Sequence, residues 1–131
     1  MLTGKVVMEK YDPLYAPDPV AWLELDESER IGLVEEFHRG AGTELPEPGL
    51  HAGIHVVVEN QLALGEEPVL ATIGKLIRQG LDRHEAIHAV GAIIAEDLFG
   101  LMQGEQGQWD AQRYRKRLEK LTAKRWRKGQ W

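Results

Sequence analysis

Glycine and proline cut this chain into lengths that suit helices. Gly40 with Gly42, then Gly65, Gly80 and Gly104 each close a stretch whose apolar residues recur at three- and four-residue intervals, and Pro48 and Pro68 stand where two of those stretches open. Glycine supplies the left-handed turn past a helix end, and proline is tolerated in a first turn, where its missing N–H has no partner to lose. The spacing predicts helices from Asp26 to the Gly40–Gly42 stop, from Pro48 to about Leu64, from about Glu66 to Gly80, from Asp82 to about Met102, and from about Asp110 onward. Val56, Val57 and Val58 have strand propensity, but the helical spacing on both sides decides for helix. The expected fold is therefore all-α: a single-domain bundle of about five helices over residues 1–131, with an irregular proline-rich arm over 1–25 and a basic C-terminal helix over 110–131. Within the arm, Val6–Met8 reads as a short strand. Tyr11, Leu14 and Tyr15 should pack it on the core, and Pro19 should open a short turn carrying Val20, Trp22 and Leu23.

Composition excludes several chemistries. The chain has no cysteine, hence no disulfide framework, no thiolate metal knuckle and no thiol nucleophile. Ser28 is the only serine, and it sits at a helix start with no histidine near it in sequence. No glycine-rich phosphate loop follows a strand. No apolar run is long enough for a signal peptide or a membrane span, and the expected compartment is the cytoplasm. The net charge of -5 is unevenly spread: residues 1–109 carry 7 basic against 19 acidic side chains, residues 110–131 carry 9 against 2. The tail either complements the acidic body or reaches an anionic partner. Tyr114, Leu118 and Leu121 on one helix face argue that it docks, and the acidic body makes nucleic acid an unsuitable partner. The partner left open is a protein, or a second copy of the chain.

The histidines carry the chemistry. Four of five fall into two pairs at i,i+4: His51 with His55, and His84 with His88. On a helix that spacing stacks two imidazoles on one face. At about 100° per residue His51 and His55 share a face with Val58 and Leu62, with Glu59 at its edge, and His84 and His88 share a line with Gly91 and Ala95. Glu85, Ala89, Glu96 and Asp97 are expected to point elsewhere. Two such helices facing each other would bring His51, His55, His84 and His88 together, with Glu59 or Glu85 as oxygen ligand or supporting partner. Imidazole with carboxylate suits a divalent metal, zinc first, with iron or manganese as alternatives. The structural alternative is four buried imidazoles, each needing its own hydrogen-bond solution. His38, unpaired in sequence near a helix end, reads as a surface residue rather than a ligand.

His84–His88 is also a His-Glu-x-x-His sequence, the arrangement in which two histidines hold zinc and the glutamate, here Glu85, activates water. Gly91 falls where a longer form of that motif has glycine, but Ile94 stands where it needs a third histidine. A downstream carboxylate ligand would have to be Glu96, Glu105 or Glu119, none of them in a recognisable motif. Glu85 has a structural role as well, since Asp82 and Glu85 form the ends of a capping box.

These residues together resemble a known group. Tyr11-Asp12-Pro13, Trp22, the run Leu25 to Arg30, His51 and His55 ahead of Val58 to Gln61, and above all Asp82 to Ala89 are similar to an uncharacterised bacterial family of small helical proteins, domain of unknown function family 1841. The resemblance extends to about residue 102 and implies a bacterial, cytoplasmic, helical domain. It implies no activity. Two functional readings remain: a metal-binding helical protein, acting as a hydrolase or a metal-dependent regulator, or a non-enzymatic interaction module with a structural histidine cluster and a basic docking helix.

Overall fold

The computed structural model describes residues 8–42, 47–104 and 107–131. Among them the fold is all-α: helices α1 (Pro19–Glu24), α2 (Glu27–Gly40), α3 (Pro48–Ala63), α4 (Glu67–Arg78), α5 (Arg83–Met102), α6 (Ala111–Lys120) and α7 (Ala123–Arg127). Gly42, Gly65, Gly80 and Gly104 all take the left-handed conformation that the stop signals require. The chain forms two compact units, Met1–Gly65 and Glu66–Trp131. The expected strand at Val6–Met8 lies mostly outside the described residues, as do Glu105 and most of the linker before α3.

In the first unit, α1 and α2 both pack on α3. The core joins Tyr11, Trp22, Val34, Ala52 and Val56, with Leu25, Ile31 and Phe37 against it. The arm does anchor through Tyr11, whereas Leu14 and Tyr15 stay exposed. Helix α1 is only six residues long, too short to persist unaided. Asp18 caps its start by accepting from Ala21 N, and Arg30 closes its end. The guanidinium donates to the carbonyls of Trp22 (3.0 Å), Leu23 (2.9 Å) and Leu25 (2.7 Å). It also reaches Asn60 Oδ1, the same oxygen that accepts from Trp22 Nε1 at 2.9 Å. Asn60, on the side of α3 away from the histidines, thus ties α1 and α2 to α3. At the start of α2 the capping box is complete, with Asp26 accepting from Glu29 N and Glu29 reaching back to the Asp26 N–H.

In the second unit, α4 and α6 both pack on α5 and on each other. Helix α5 is consequently buried on more than one side: Ala86, Ile87, Ala89, Val90, Ile93 and Ile94 are all covered. Ala89 and Asp97, expected off the line of His84 and His88, are buried for this reason. Asp97 is buried and accepts from Arg117 of α6 at 3.0 Å, while Arg117 also bonds Glu96. Burial opposes the Arg117 charge, but these two carboxylates outweigh it and raise the guanidinium further above its ordinary range. The far end of α5 emerges from the core, leaving Phe99 and Met102 exposed.

The C-terminal helix is not continuous. It breaks after Lys120, where Leu121 is extended and wholly buried. Lys75 Nζ caps the ending of α6 by donating to the carbonyls of Leu118 (3.3 Å) and Glu119 (3.0 Å). Burial pulls that ammonium below the usual lysine range, against the opposing attraction of Glu119. Thr122 then caps α7, and Gln79 supplies a second acceptor to the Ala123 N–H. A threonine hydroxyl offering a new cap allows the chain to turn and place Leu121 in the core.

Two outcomes are expected. Arg117→Met leaves the Asp97 carboxylate buried with only Arg113 nearby at 3.8 Å, and should cost about 3 kcal/mol in urea unfolding. Asp26 is held below the usual carboxylate range, chiefly by the Ser28 hydroxyl and next by the Glu29 N–H. A lowered folded-state value stabilises the protein above the ordinary carboxyl range, and the effect is lost as pH falls through that value. The stability gap between wild type and Asp26→Ala should therefore be level from about pH 5 to 7 and shrink below about pH 4.

Candidate metal centre

Helix α2 carries His38 in its last turn, four residues after Val34 and seven after Ile31, on the stripe that faces α3. The side chain is buried. Its Nδ1 lies 2.8 Å from the Val34 carbonyl oxygen. A carbonyl only accepts, so the imidazole donates through Nδ1 and in its neutral form presents a lone pair at Nε2. Nε2 of His51 lies 3.2 Å from that atom. Two ligands of a tetrahedral ion bound at about 2.0 Å are separated by roughly the same distance, about 3.3 Å. His38 is thus not the surface residue that the sequence suggested. Its partners come from another helix, which pairing in sequence could not reveal.

His55 is oriented in the same manner by different means. Its Nδ1 is 3.0 Å from the Tyr11 hydroxyl, and that hydroxyl donates its one hydrogen to Glu59 Oε2 at 2.5 Å. The oxygen must therefore accept from His55 Nδ1–H, which again leaves the lone pair on Nε2. His55 and Glu59 are both almost wholly buried. The ring centroids of His38, His51 and His55 lie 4.7, 5.3 and 5.5 Å apart, and His38 and His55 offer nitrogens within 4.8 Å of each other. Phe37 packs edge-on against His38 at 5.3 Å, and Tyr11 against His55 at 5.7 Å. On the arm side, Tyr11 and Phe37 also line a cleft of about 380 Å³ with Lys10, Leu33, Glu36, Gly40 and Ala41.

Of the expected ligands, the structure puts His51 and His55 beside each other in the first unit. It places Glu59 against the Tyr11 hydroxyl, from which it accepts. Sequence reasoning missed His38 and the part played by Tyr11. His38 had a usable signal, its register with Ile31 and Val34; Tyr11, in an arm without periodicity, had none.

In the second unit, His84 and His88 stack at the start of α5 with ring centroids 4.2 Å apart and nitrogens within 4.8 Å. Both are half-buried. Glu85, between them in sequence, is exposed, and its Oε2 accepts from Trp126 Nε1 at 2.7 Å. Asp82 caps the Glu85 N–H at 2.8 Å. The other acids considered as ligands are engaged as well: Glu96 with Arg117, and Glu119 with Arg115 at 3.8 Å.

His38 and His55 in the first unit, and His84 and His88 in the second, offer imidazole nitrogens within 4.8 Å of each other, and imidazole suits a borderline divalent ion. In the first unit, two of the three rings have Nδ1 committed to an oxygen. Metal-binding histidines are held in this way, because the second hydrogen bond fixes tautomer and ring angle. No family model, no curated protein and no solved structure matches the chain, so the reading of the site rests on its own geometry.

The Glu85 contact has a measurable consequence. Trp126→Phe removes the indole donor and should cost about 1 kcal/mol in urea unfolding, the ordinary net value of a hydrogen bond, since exposure weakens the charge assistance. Glu85→Gln, which keeps the acceptor, should cost less than about 0.5 kcal/mol. A larger loss in Glu85→Gln than in Trp126→Phe would assign the carboxylate some other structural role.

Proposed function

We propose that this protein binds a divalent transition metal through clustered imidazoles and uses the ion as a regulatory or structural element. Zinc is the first choice, with iron or manganese as alternatives. The observation that carries the reading is the 3.2 Å approach of the His38 and His51 Nε2 atoms, with His38 turned to present its lone pair there. A plain hydrogen bond between two histidines would account for that pair alone. It would not account for His55, which offers a nitrogen within 4.8 Å of one on His38 while its Nδ1 meets the Tyr11 hydroxyl. His84 and His88 are proposed as further imidazole donors. We place the chain, by its motifs, with the uncharacterised bacterial helical family that it resembles.

Regulation is favoured over hydrolysis by the state of Glu85. As the base of a zinc hydrolase it would have to face the metal-bound water. Its carboxylate is held by the Trp126 indole instead. The alternative function, an interaction module with a basic docking surface, draws on the exposed Phe99 and Met102 and on the run of exposed cations along α6 and α7.

The test is metal content by mass spectrometry on protein purified without a histidine tag and reconstituted with zinc, iron or manganese. Near-stoichiometric metal is expected. His38→Ala and His55→Ala should each weaken it by more than about 100-fold, a larger loss than removal of a supporting partner gives. Affinity should fall as the solution is acidified, because protons compete with the metal for the imidazole nitrogens. His84→Ala distinguishes the donor sets: loss of the same ion means that both pairs hold it, and retention means that the first unit holds it alone. No bound metal after reconstitution would overturn the proposal and leave the interaction module.

A further inference from the structure

Tyr11 of the N-terminal arm reaches the histidine group through a directed chain. Glu59 accepts from the Tyr11 hydroxyl, and the hydroxyl accepts from His55 Nδ1–H. Glu59 and His55 lie on the same face of α3, four residues apart, so the helix presents a carboxylate and an imidazole to one oxygen of the arm. Around that oxygen the Tyr11 ring is gripped by Trp22 at 5.6 Å and Phe37 at 6.3 Å. Its neighbour Lys10 is exposed, and so are Asp12 and Leu14. The arm is therefore held at Tyr11, with Pro13 also buried and Met8 packed on the core, between exposed neighbours.

We infer that Tyr11 is a positioning residue that locks His55 in its Nδ1–H tautomer, and that through it the arm and the metal centre regulate each other. The inference rests on the metal reading given above, though the tautomer lock stands without it. Imidazole in water favours the Nε2–H form, which would put hydrogen where the metal ligand must be. A hydroxyl that accepts from Nδ1–H removes that competition, and it is the hydrogen-bond donation of Tyr11 to Glu59 that makes the hydroxyl an obligatory acceptor. Coupling is then reciprocal by thermodynamic necessity. An arm that lifts off releases the tautomer and weakens metal binding. A bound metal, which needs the Nε2 lone pair, holds the arm down by the same factor. A partner that captured the arm would thereby lower metal affinity without touching an imidazole ligand.

Three measurements decide it. Long-range proton–nitrogen NMR on the metal-free protein should show His55 as the Nδ1–H tautomer, and Tyr11→Phe should shift it towards Nε2–H. An Nε2–H tautomer in the wild type would overturn the lock whether or not metal binds. Zinc affinity, from competition with a chromophoric chelator, should fall 10- to 100-fold in Tyr11→Phe, the range for losing a supporting partner of a metal-binding histidine. Glu59→Leu, which frees the hydroxyl to donate to His55 Nδ1 instead, should lower it by a similar factor. That second variant, which leaves the ring packing intact, keeps the test sound should Tyr11→Phe unfold. Trypsin cleavage after the exposed Lys10 should slow at least fivefold with saturating zinc in the wild type. Unchanged cleavage with zinc bound, or equal zinc affinity in wild type and Tyr11→Phe, would overturn the coupling. Absence of zinc binding in every variant would remove the metal reading and the coupling together, and leave the tautomer result to judge the lock.

Discussion

A carboxylate sealed among aromatic and aliphatic side chains has to be satisfied, and in this protein the side chain that reaches Glu59 fixes much else. An unpaired buried carboxylate would cost several kcal/mol. Glu59 accepts a hydrogen bond from Tyr11, which comes in from the arm. The arm is thereby pinned against Trp22 and Phe37, and Phe37 in turn packs on His38. His55 obtains its orientation as the third member of the chain. One buried acid therefore links the ordering of the arm, the closing of the aromatic wall and the presentation of an imidazole.

Elsewhere, the same economy of polar groups recurs. Helix ends that would otherwise leave carbonyls without partners are closed by long cationic side chains from neighbouring elements. Arg30 does this for α1, and Lys75 for α6. Both hold a short helix against a longer one in its own unit. Arg117 works differently, reaching from α6 to a buried acid on α5. Of the C-terminal cations, Arg113, Arg115 and Arg117 pair with acids of the second unit. The cations beyond these, including Lys116, Lys120 and Lys124, remain exposed.

Much of this architecture was legible in the residues because it depends on local rules. Glycine stops, proline starts and 3.6-residue periodicity each act within a few residues, so helix identity and most boundaries followed directly. The two histidine pairs were legible for the same reason, since i,i+4 spacing places side chains on one face whatever lies opposite. Three features were not. The burial of Asp97 arises because α6 covers a second side of α5, which the α5 pattern taken alone does not disclose. The break at Leu121 depends on Thr122 offering a cap and on Gln79 and Lys75 arriving from α4 to complete it. His38 and Tyr11 join the site through partners 13 and 44 residues away in sequence.

By itself, then, the sequence determined an all-α chain, its helix limits and the faces that carry His51, His55, Glu59, His84 and His88, because those follow from backbone geometry and short-range spacing. Only the tertiary structure decided which nitrogen each imidazole presents. A tautomer is set by the atom that the other ring nitrogen meets. For His38 that atom is the carbonyl one turn back, and for His55 it is the hydroxyl of a residue 44 positions away. Only the tertiary structure, too, turned Glu85 towards Trp126, since the contact depends on where a helix 41 residues downstream comes to rest. Spacing can place side chains on a common face; what each polar atom does there depends on the partner that packing brings to it.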